Sequence, residues 1–325
     1  MNRRFCARII AGIGLVLCAT TAWSQSVSFP NRPIHVIVPF PPGGAVDPIA
    51  RSITPKLEEA WGQPVVVDNK PGAGTIIGSD FVAKAAPDGH TVILVATSFT
   101  VNPSAYSKLP FDPVKDFAPI SLVSRLPNML VVNSQLPVNS VRELIDYLKA
   151  RPGKVNFSSI GYGTTQHLTG ELFKSMAGVN MVHVPYKGSG PSMMSVVSGE
   201  TSVTIEGAVV VSPQVKAGRL RALAGTGMKR TPLAPNLPTV SESGLPGYEV
   251  SAWVGLLAPA GTPQEVVQKW HQQIARVLQI PEVRERQISQ GLEPVGSTPE
   301  YFAEFIKTEM TKWGKVVKQA GIKLD

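Results

Sequence analysis

Ile34-His35-Val36-Ile37-Val38-Pro39-Phe40-Pro41-Pro42-Gly43-Gly44-Ala45-Val46-Asp47 decides how the chain is read. The apolar run Val36–Val38 predicts a buried strand. Pro39, Pro41 and Pro42 forbid its continuation, because proline has no N–H to give a ladder. Gly43-Gly44 allows a sharp turn with outward-facing backbone N–H groups. A helix is expected from Pro48 to Leu57. Strand, turn and helix start together make a candidate anion site, since the first helical N–H groups lack internal acceptors.

The same grammar continues outward. Val65–Val67 is strand-like, Gly72–Gly78 leads into a helix ending near Ala86, and Thr91–Thr97 is a third strand. This βαβαβ order predicts a parallel sheet with helices on both faces. Ile120–Val123 and Met129–Val132 are again strand-like. A second α/β run follows. Ser140 and Glu143 form a capping box, and Val141, Leu144, Ile145 and Leu148 share one helical face. Strands are expected at Val155–Ser158, Met181–Pro185, Val203–Ile205 and Leu220–Ala224, with a helix over Thr165–Met176. The remainder is expected to be mostly helical. Two α/β sheets imply two lobes, with ligands outside the carboxyl ends of the strands.

The second candidate loop runs Ser158-Ser159-Ile160-Gly161-Tyr162-Gly163-Thr164-Thr165-Gln166-His167. It too joins a strand to a helix start. Gly161 and Gly163 free the backbone, and Thr164 or Thr165 offers a cap and a hydroxyl. Hydrogen bonds to a charged group contribute roughly 1.5–3 kcal/mol each, so two or three would hold a small carboxylate without lysine or arginine. The alternative is an ordinary turn and cap. If backbone at Gly43 and Gly163 approaches a ligand, a side chain at either should block binding. Thr97 and Ser98, ending the third strand, should turn their hydroxyls to the same cleft. Asp47 either meets the ligand or holds the loop and Arg51.

Composition narrows the function classes. Met1–Arg8 carries three arginines and no acid, Ile9–Cys18 is apolar, and Ala22-Trp23-Ser24 fits a peptidase site. Residues 1–24 therefore read as a secretory signal cut before Gln25, too short in its apolar part to span a bilayer. Leu17 before Cys18 argues against a lipoprotein site. Both cysteines lie in this leader, so no disulfide, thiol nucleophile or cysteine metal site is expected beyond it. Without the leader arginines the net charge falls from +8 to +5. With no basic cluster or stacking aromatics, nucleic-acid binding is not expected. There is no G-x-S-x-G, Walker loop or H-E-x-x-H, and the five histidines show no ligand spacing. Gly72-Ala73-Gly74 imitates a dinucleotide fingerprint but follows the wrong strand with the wrong spacing. No cofactor and no metal are expected.

At this point the motifs resemble those of a family. Val38-Pro39-Phe40-Pro41-Pro42-Gly43-Gly44-Ala45-Val46-Asp47-Pro48-Ile49-Ala50-Arg51 is similar to the signature of the Bug receptors, the extracytoplasmic solute-binding proteins of tripartite tricarboxylate transporters. Asn69-Lys70-Pro71-Gly72-Ala73-Gly74, Pro87-Asp88-Gly89-His90-Thr91, Asp116-Phe117-Ala118-Pro119-Ile120 and Gly161-Tyr162-Gly163-Thr164 match in order. So do His183-Val184-Pro185-Tyr186-Lys187-Gly188, Gly218–Ala224, Leu237–Val240, Gly244–Glu249 and Ala258–Pro263. The resemblance covers essentially everything after the leader. It implies a type II, Venus flytrap fold with two crossing segments, a periplasmic location, and a small carboxylate gripped by the two loops.

The expected lobes are 25–125 with 245–325, and 126–244. The expected ligand residues are Phe40, Pro42, Gly43, Gly44, Ala45, Asp47, Thr97, Ser98, Ser158, Ser159, Gly161, Gly163, Thr164, Thr165, His167 and Glu206. Two departures from the family pattern stand out. Thr75 follows Gly74 where the resemblance leads one to expect another glycine, and Glu206 ends a strand where relatives carry another residue. Glu206 should face the cleft and select among acids, unless a protein cation or solvent takes it. The expected function is a monomeric periplasmic carboxylate receptor serving membrane permease subunits. The alternatives are an exported hydrolase or isomerase using Glu206 and His167, or a subunit presenting ligand to a sensor kinase.

Overall fold

The computed structural model describes residues 29–44, 46–231 and 233–324. The signal-peptide reading and Ala45 lie outside them. In chain order the first elements are β1 (Ile34–Val38), α1 (Asp47–Trp61), β2 (Val65–Asn69), α2 (Ile76–Ala83), β3 (Thr91–Ala96), α3 (Ser98–Ala105) and β4 (Phe117–Asn133). Next come α4 (Val141–Lys149), β5 (Asn156–Ser159), α5 (Thr165–Ala177), β6 (Val182–Pro185), α6 (Ser189–Ser198), β7 (Val203–Gly207), α7 (Ala208–Lys216) and β8 (Leu220–Gly225). The chain ends with β9 (Ser251–Pro259), α8 (Gln264–Val277), α9 (Pro281–Ser289), β10 (Glu293–Pro294) and α10 (Pro299–Ala320).

β1 pairs in parallel with β2 and β3, as the βαβαβ pattern predicts. The sheet then turns antiparallel: β9 inserts between β3 and β4. β9 was hidden in a region expected to be helical. Its residues are nearly all buried, so it lacks the alternation that marks a one-sided strand. The two strand-like runs at 120–123 and 129–132 are one strand, β4. Its first part, to Pro127, pairs with β9, and its second part, from Asn128, pairs with β7 and β8. Pro127 donates no N–H, which suits the point where partners change. β5 pairs in parallel with β6 and β7, completing the second lobe.

Each lobe has its own core. Val36, Val92, Ile120, Trp270 and Ile274 anchor one face of the first sheet, and Phe99, Phe117, Trp253 and Phe302 the other. Leu130, Phe157, Leu168, Phe173 and Ile205 anchor the second. The capping box of α4 forms with one change: Ser140 accepts from Glu143 N–H, while Glu143 accepts from Asn139 N–H, one residue earlier than the cap. α10 spans both lobes. Phe302 and Ile306 pack in the first lobe, whereas Trp313, Val316 and Val317 join the core of the second. Midway, buried Glu309 accepts the indole N–H groups of Trp253 and Trp313 and pairs with Lys312.

Candidate functional site

A cavity of about 500 Å³ lies between the lobes. The first lobe contributes Phe40, Val46, Gly74, Thr75, Ala96, Thr97, Ser98, Val101, Asn102 and Tyr106. The second contributes Ile160 and Tyr162 through Gln166. Leu126 and Ala252 close it from the crossing strands, and Leu324 enters after α10. Among the described residues, no charged side chain lines it. Hollows of similar size beside α10 and β8 are lined by mid-helix or C-terminal turns and by lysines.

Two helix starts open on this cavity. α5 begins at Thr165, with Thr164 as N-cap: its Oγ1 accepts from His167 N–H and donates to Gly161 C=O. The N–H groups of Thr165 and Gln166 have no intrahelical acceptor. α3 begins at Ser98, immediately after β3, where the sequence reading placed only a strand end. Thr97 is 2% exposed, and its Oγ1 has no hydrogen-bond partner among the described residues. An unpartnered buried hydroxyl costs about 1–3 kcal/mol, which a ligand oxygen at this point would recover.

The first loop contributes differently from expectation. Gly43 N–H donates to Asp47 Oδ2 at 3.0 Å, and Gly44 N–H to Pro41 C=O. Arg51 Nε donates to Asp47 Oδ2 at 2.9 Å, and Asn69 Nδ2 to Asp47 Oδ1 and to Phe40 C=O. The Arg51 hydrogen bond, helped by Gly43 and Asn69, holds the Asp47 carboxyl down at about 2 against its burial. Asp47 thus locks the loop from behind and does not line the cavity. Pro42 and Gly43 face solvent, and Gly44 is likewise absent from the lining. Only Phe40 and Val46 of the described loop residues reach the cavity.

Behind the second loop lies an aromatic stack. The His167 and His183 rings are parallel, 3.7 Å apart, flanked by Phe157 and Tyr162. His167 Nδ1 accepts Gly163 N–H at 3.0 Å, so that nitrogen carries no proton. Burial, with His183 and Lys174 adding, pushes His167 down to about 3; burial, then Lys174, pushes His183 down to about 4. Ser159 Oγ shares a 2.7 Å hydrogen bond with His183 Nε2, and Ser158 donates to Ser192 C=O. Ser158, Ser159 and His167 are therefore supports, not lining.

Glu206 corrects another expectation. It is buried, and its carboxylate accepts from Gln166 Nε2, Ser189 Oγ and Gly207 N–H. Among the described residues no cation takes it, and it does not line the cavity; Gln166 does. Of the expected residues, the cavity gathers Phe40, Thr97, Ser98, Gly163, Thr164 and Thr165. Gly161 supports the loop through its carbonyl. Thr75, Tyr106, Gln166 and Leu324 were missed. Gln166 sits in the motif already singled out, and Thr75 follows Gly72-Ala73-Gly74 at the end of β2; Tyr106 and Leu324 carry no local signal.

Two α/β lobes joined by crossing strands, with a cleft lined from both, define a solute-binding protein of the periplasmic type. The chain matches the tripartite tricarboxylate transporter family receptor over residues 49–322, and it belongs to that family. It is 38% identical over 322 residues to BugT of Bordetella pertussis, covering 98% of each chain. A Rhodopseudomonas palustris protein solved with adipate is 38% identical, with TM-score 0.74, covering 91% of this chain and 99% of that one. MatC of the same organism, solved with bound malate, is 33% identical, with TM-score 0.70, covering 89% and 100%. The protein is thus a periplasmic solute-binding receptor of a tripartite transporter and not an enzyme. The hydrolase or isomerase alternative falls with that, and Glu206 and His167 are both occupied in holding the second lobe.

Proposed function

We propose that the protein captures a small organic carboxylate between its lobes and delivers it to the permease subunits of its transporter. The observation that carries this reading is the cavity, free of charged side chains among the described residues, onto which the α3 and α5 N-termini open, with Thr97 Oγ1 buried and without a partner among those residues. Helix N-termini favour anions by about 0.3–1 kcal/mol each beyond their hydrogen bonds. A desolvated cavity strengthens those bonds and needs no cation. The solved relatives holding adipate and malate support the ligand class.

Binding begins on one lobe, and hinge closure buries the ligand. The hinge falls where β4 changes partners at Pro127-Asn128 and where the chain re-enters the first sheet at Val250-Ser251. The lobes are then 29–127 with 251–324, and 128–250, a few residues beyond the sequence expectation of 126–244, with the end of α10 leaning on the second. Cleavage before Gln25 releases the receptor. One copy of the chain supplies both walls of the cavity, which supports a monomer. The test is thermal unfolding of ligand-stripped protein with a panel of organic acids and simple cations. An acid at about 100 times its Kd should add ~2.7 kcal/mol. Absence of any shift across the acids would overturn the reading.

A further inference from the structure

Thr75 stands in a conformation that threonine avoids. Its φ is +83° and ψ −2°, the left-handed region, where a β-branched side chain crowds its own backbone. The preceding loop is equally tight: Ala73 has φ +44°. Thr75 occupies the N-cap of α2, yet its side chain makes no capping hydrogen bond. The hydroxyl turns instead towards the cavity wall, 3.5 Å from Ser98 Oγ and 3.4 Å from Asn102 Nδ2. Both distances are at the long limit of a hydrogen bond, so neither contact accounts for the strain. Thr75 is 7% exposed and lines the cavity together with Thr97 and Ser98. Thr97 Oγ1 is buried with no hydrogen-bond partner among the described residues. Asn102 fixes the loop by donating from Nδ2 to Gly74 C=O at 2.8 Å.

Strain held at a ligand cavity, with hydroxyls that lack good partners, marks a place completed by something bound. The first N–H groups of α3 can only donate and the hydroxyls can donate beside them, so the partner they share is an oxygen acceptor. The α5 start, on the opposite lobe, supplies a separate set of donors. We propose that Thr75 is a specificity-determining residue. With Thr97 and Ser98 it forms an oxygen-binding subsite on the first lobe that selects acids with a second carboxylate over acids ending in an alkyl group. The apolar wall of Phe40, Val46, Leu126 and Leu324 then faces the carbon chain between the two ends. This inference rests on the carboxylate reading above. A site built to hydrogen-bond a polar end rejects the analogue lacking it, because its donors are left unpaired.

The experiment is calorimetry on ligand-stripped protein with straight-chain α,ω-diacids of four to eight carbons and the matching monoacids. The wild type should prefer the diacid of its best chain length by about tenfold or more over the equal-length monoacid. Thr75→Ser keeps the hydroxyl and should keep that preference. Thr75→Ala keeps part of the strain without the hydroxyl, and Thr75→Gly removes both; each should reduce the preference to under about threefold. Ligand-free Thr75→Gly should melt no lower than the wild type, since glycine is at ease at this φ. A wild type binding monoacids as tightly as diacids overturns the subsite while leaving the carboxylate reading intact. So does an unchanged preference in Thr75→Ala or Thr75→Gly. A Thr75→Gly protein that loses stability but keeps its preference makes Thr75 a packing residue. If no acid of either series binds, the subsite is overturned; the carboxylate reading falls with it only if the wider panel of organic acids also gives no thermal shift.

Discussion

The two strand–turn–helix loops look interchangeable in sequence, but they are pinned by opposite chemistry. The Pro39–Pro48 loop is locked by an ionised side chain: Asp47 takes Gly43 N–H, Arg51 and Asn69. The Ser159–Thr165 loop is locked by uncharged imidazoles, His167 taking Gly163 N–H and His183 stacking beneath it. The charged clamp spends its loop's N–H groups internally and stands behind the cavity. The neutral clamp leaves the α5 start facing it. A carboxylate beside the ligand would repel an anion, whereas a neutral histidine fixes the loop without adding a field. The site is therefore asymmetric: the first loop supplies wall, and the second supplies donors.

The largest expected effect separates the loops directly. Gly163 has φ +73°, and a Cβ there would lie 2.6 Å from Leu324 Cδ2. Gly163→Val should strain the turn, displace Leu324 and lower affinity for the best-binding acid by about 100-fold or more. Calorimetry on protein with a native circular dichroism spectrum checks this. Retained affinity would mean that the second loop is not the principal grip. The charged clamp should act on stability instead. Asp47→Ala strands three donors and should cost about 3 kcal/mol in urea unfolding, given roughly 1.5–3 kcal/mol for a bond to a charged group. A loss below about 0.5 kcal/mol would make the clamp ornamental.

Both loops were legible because proline and glycine punctuate the chain locally. Pro39, Pro41 and Pro42 stop β1, and Gly161 and Gly163 bracket the second turn. Thr97 and Ser98 were legible as hydroxyls but not as a helix start, since Thr100 stands where a capping box would place Glu or Gln, and Thr97 makes no capping hydrogen bond. β9 was obscured because a strand buried on both faces shows no alternation. Asp47 and Glu206 are the instructive cases. The sequence places each at the end of an element facing a cleft. Whether a carboxylate there meets ligand or protein depends on Asn69 and Arg51, or on Gln166 and Ser189, which only folding brings within reach. Leu324 and Tyr106 reach the cavity through α10 and α3, and no short-range pattern announces that.

Acid should undo the two clamps in sequence. His167 and His183 are lowered from 6.5 to about 3 and about 4, so the unfolded chain binds protons that the folded one refuses. Their contribution is present above pH 6.5 and is lost as pH falls from there through the folded values. The loss is up to about 1.4 kcal/mol per pH unit for each group. Lys174 and Glu171 are the other charges against this stack. Asp47 is lowered from 3.8 to about 2, so its contribution is lost only below pH 3.8. Unfolding curves from pH 7 to 4 should steepen with the histidines present and flatten in His167→Gln/His183→Gln, while Asp47→Asn leaves that slope alone. An equal slope in both variants would erase the distinction between the clamps.

The smallest effect is the sharpest check on the asymmetry. Gly43 has φ +75°, so an added side chain is strained whatever space it finds. Beyond the glycine and its chain neighbours, no atom of the described residues lies within 4 Å of a Cβ built there, and its N–H is already taken by Asp47. Gly43→Ala should therefore cost about 1 kcal/mol of stability, the ordinary penalty for alanine in the left-handed region. Gly43→Asn should cost less, because asparagine tolerates that region. Affinity for the acid that binds best should stay within about twofold in both, since a residue facing solvent adds no contact to desolvate. This reverses what the glycine pair suggests in sequence, where a side chain at Gly43 should block the site. A tenfold loss of affinity in Gly43→Ala, measured beside an unchanged circular dichroism spectrum, would return the first loop to the grip and make the two loops equal partners again.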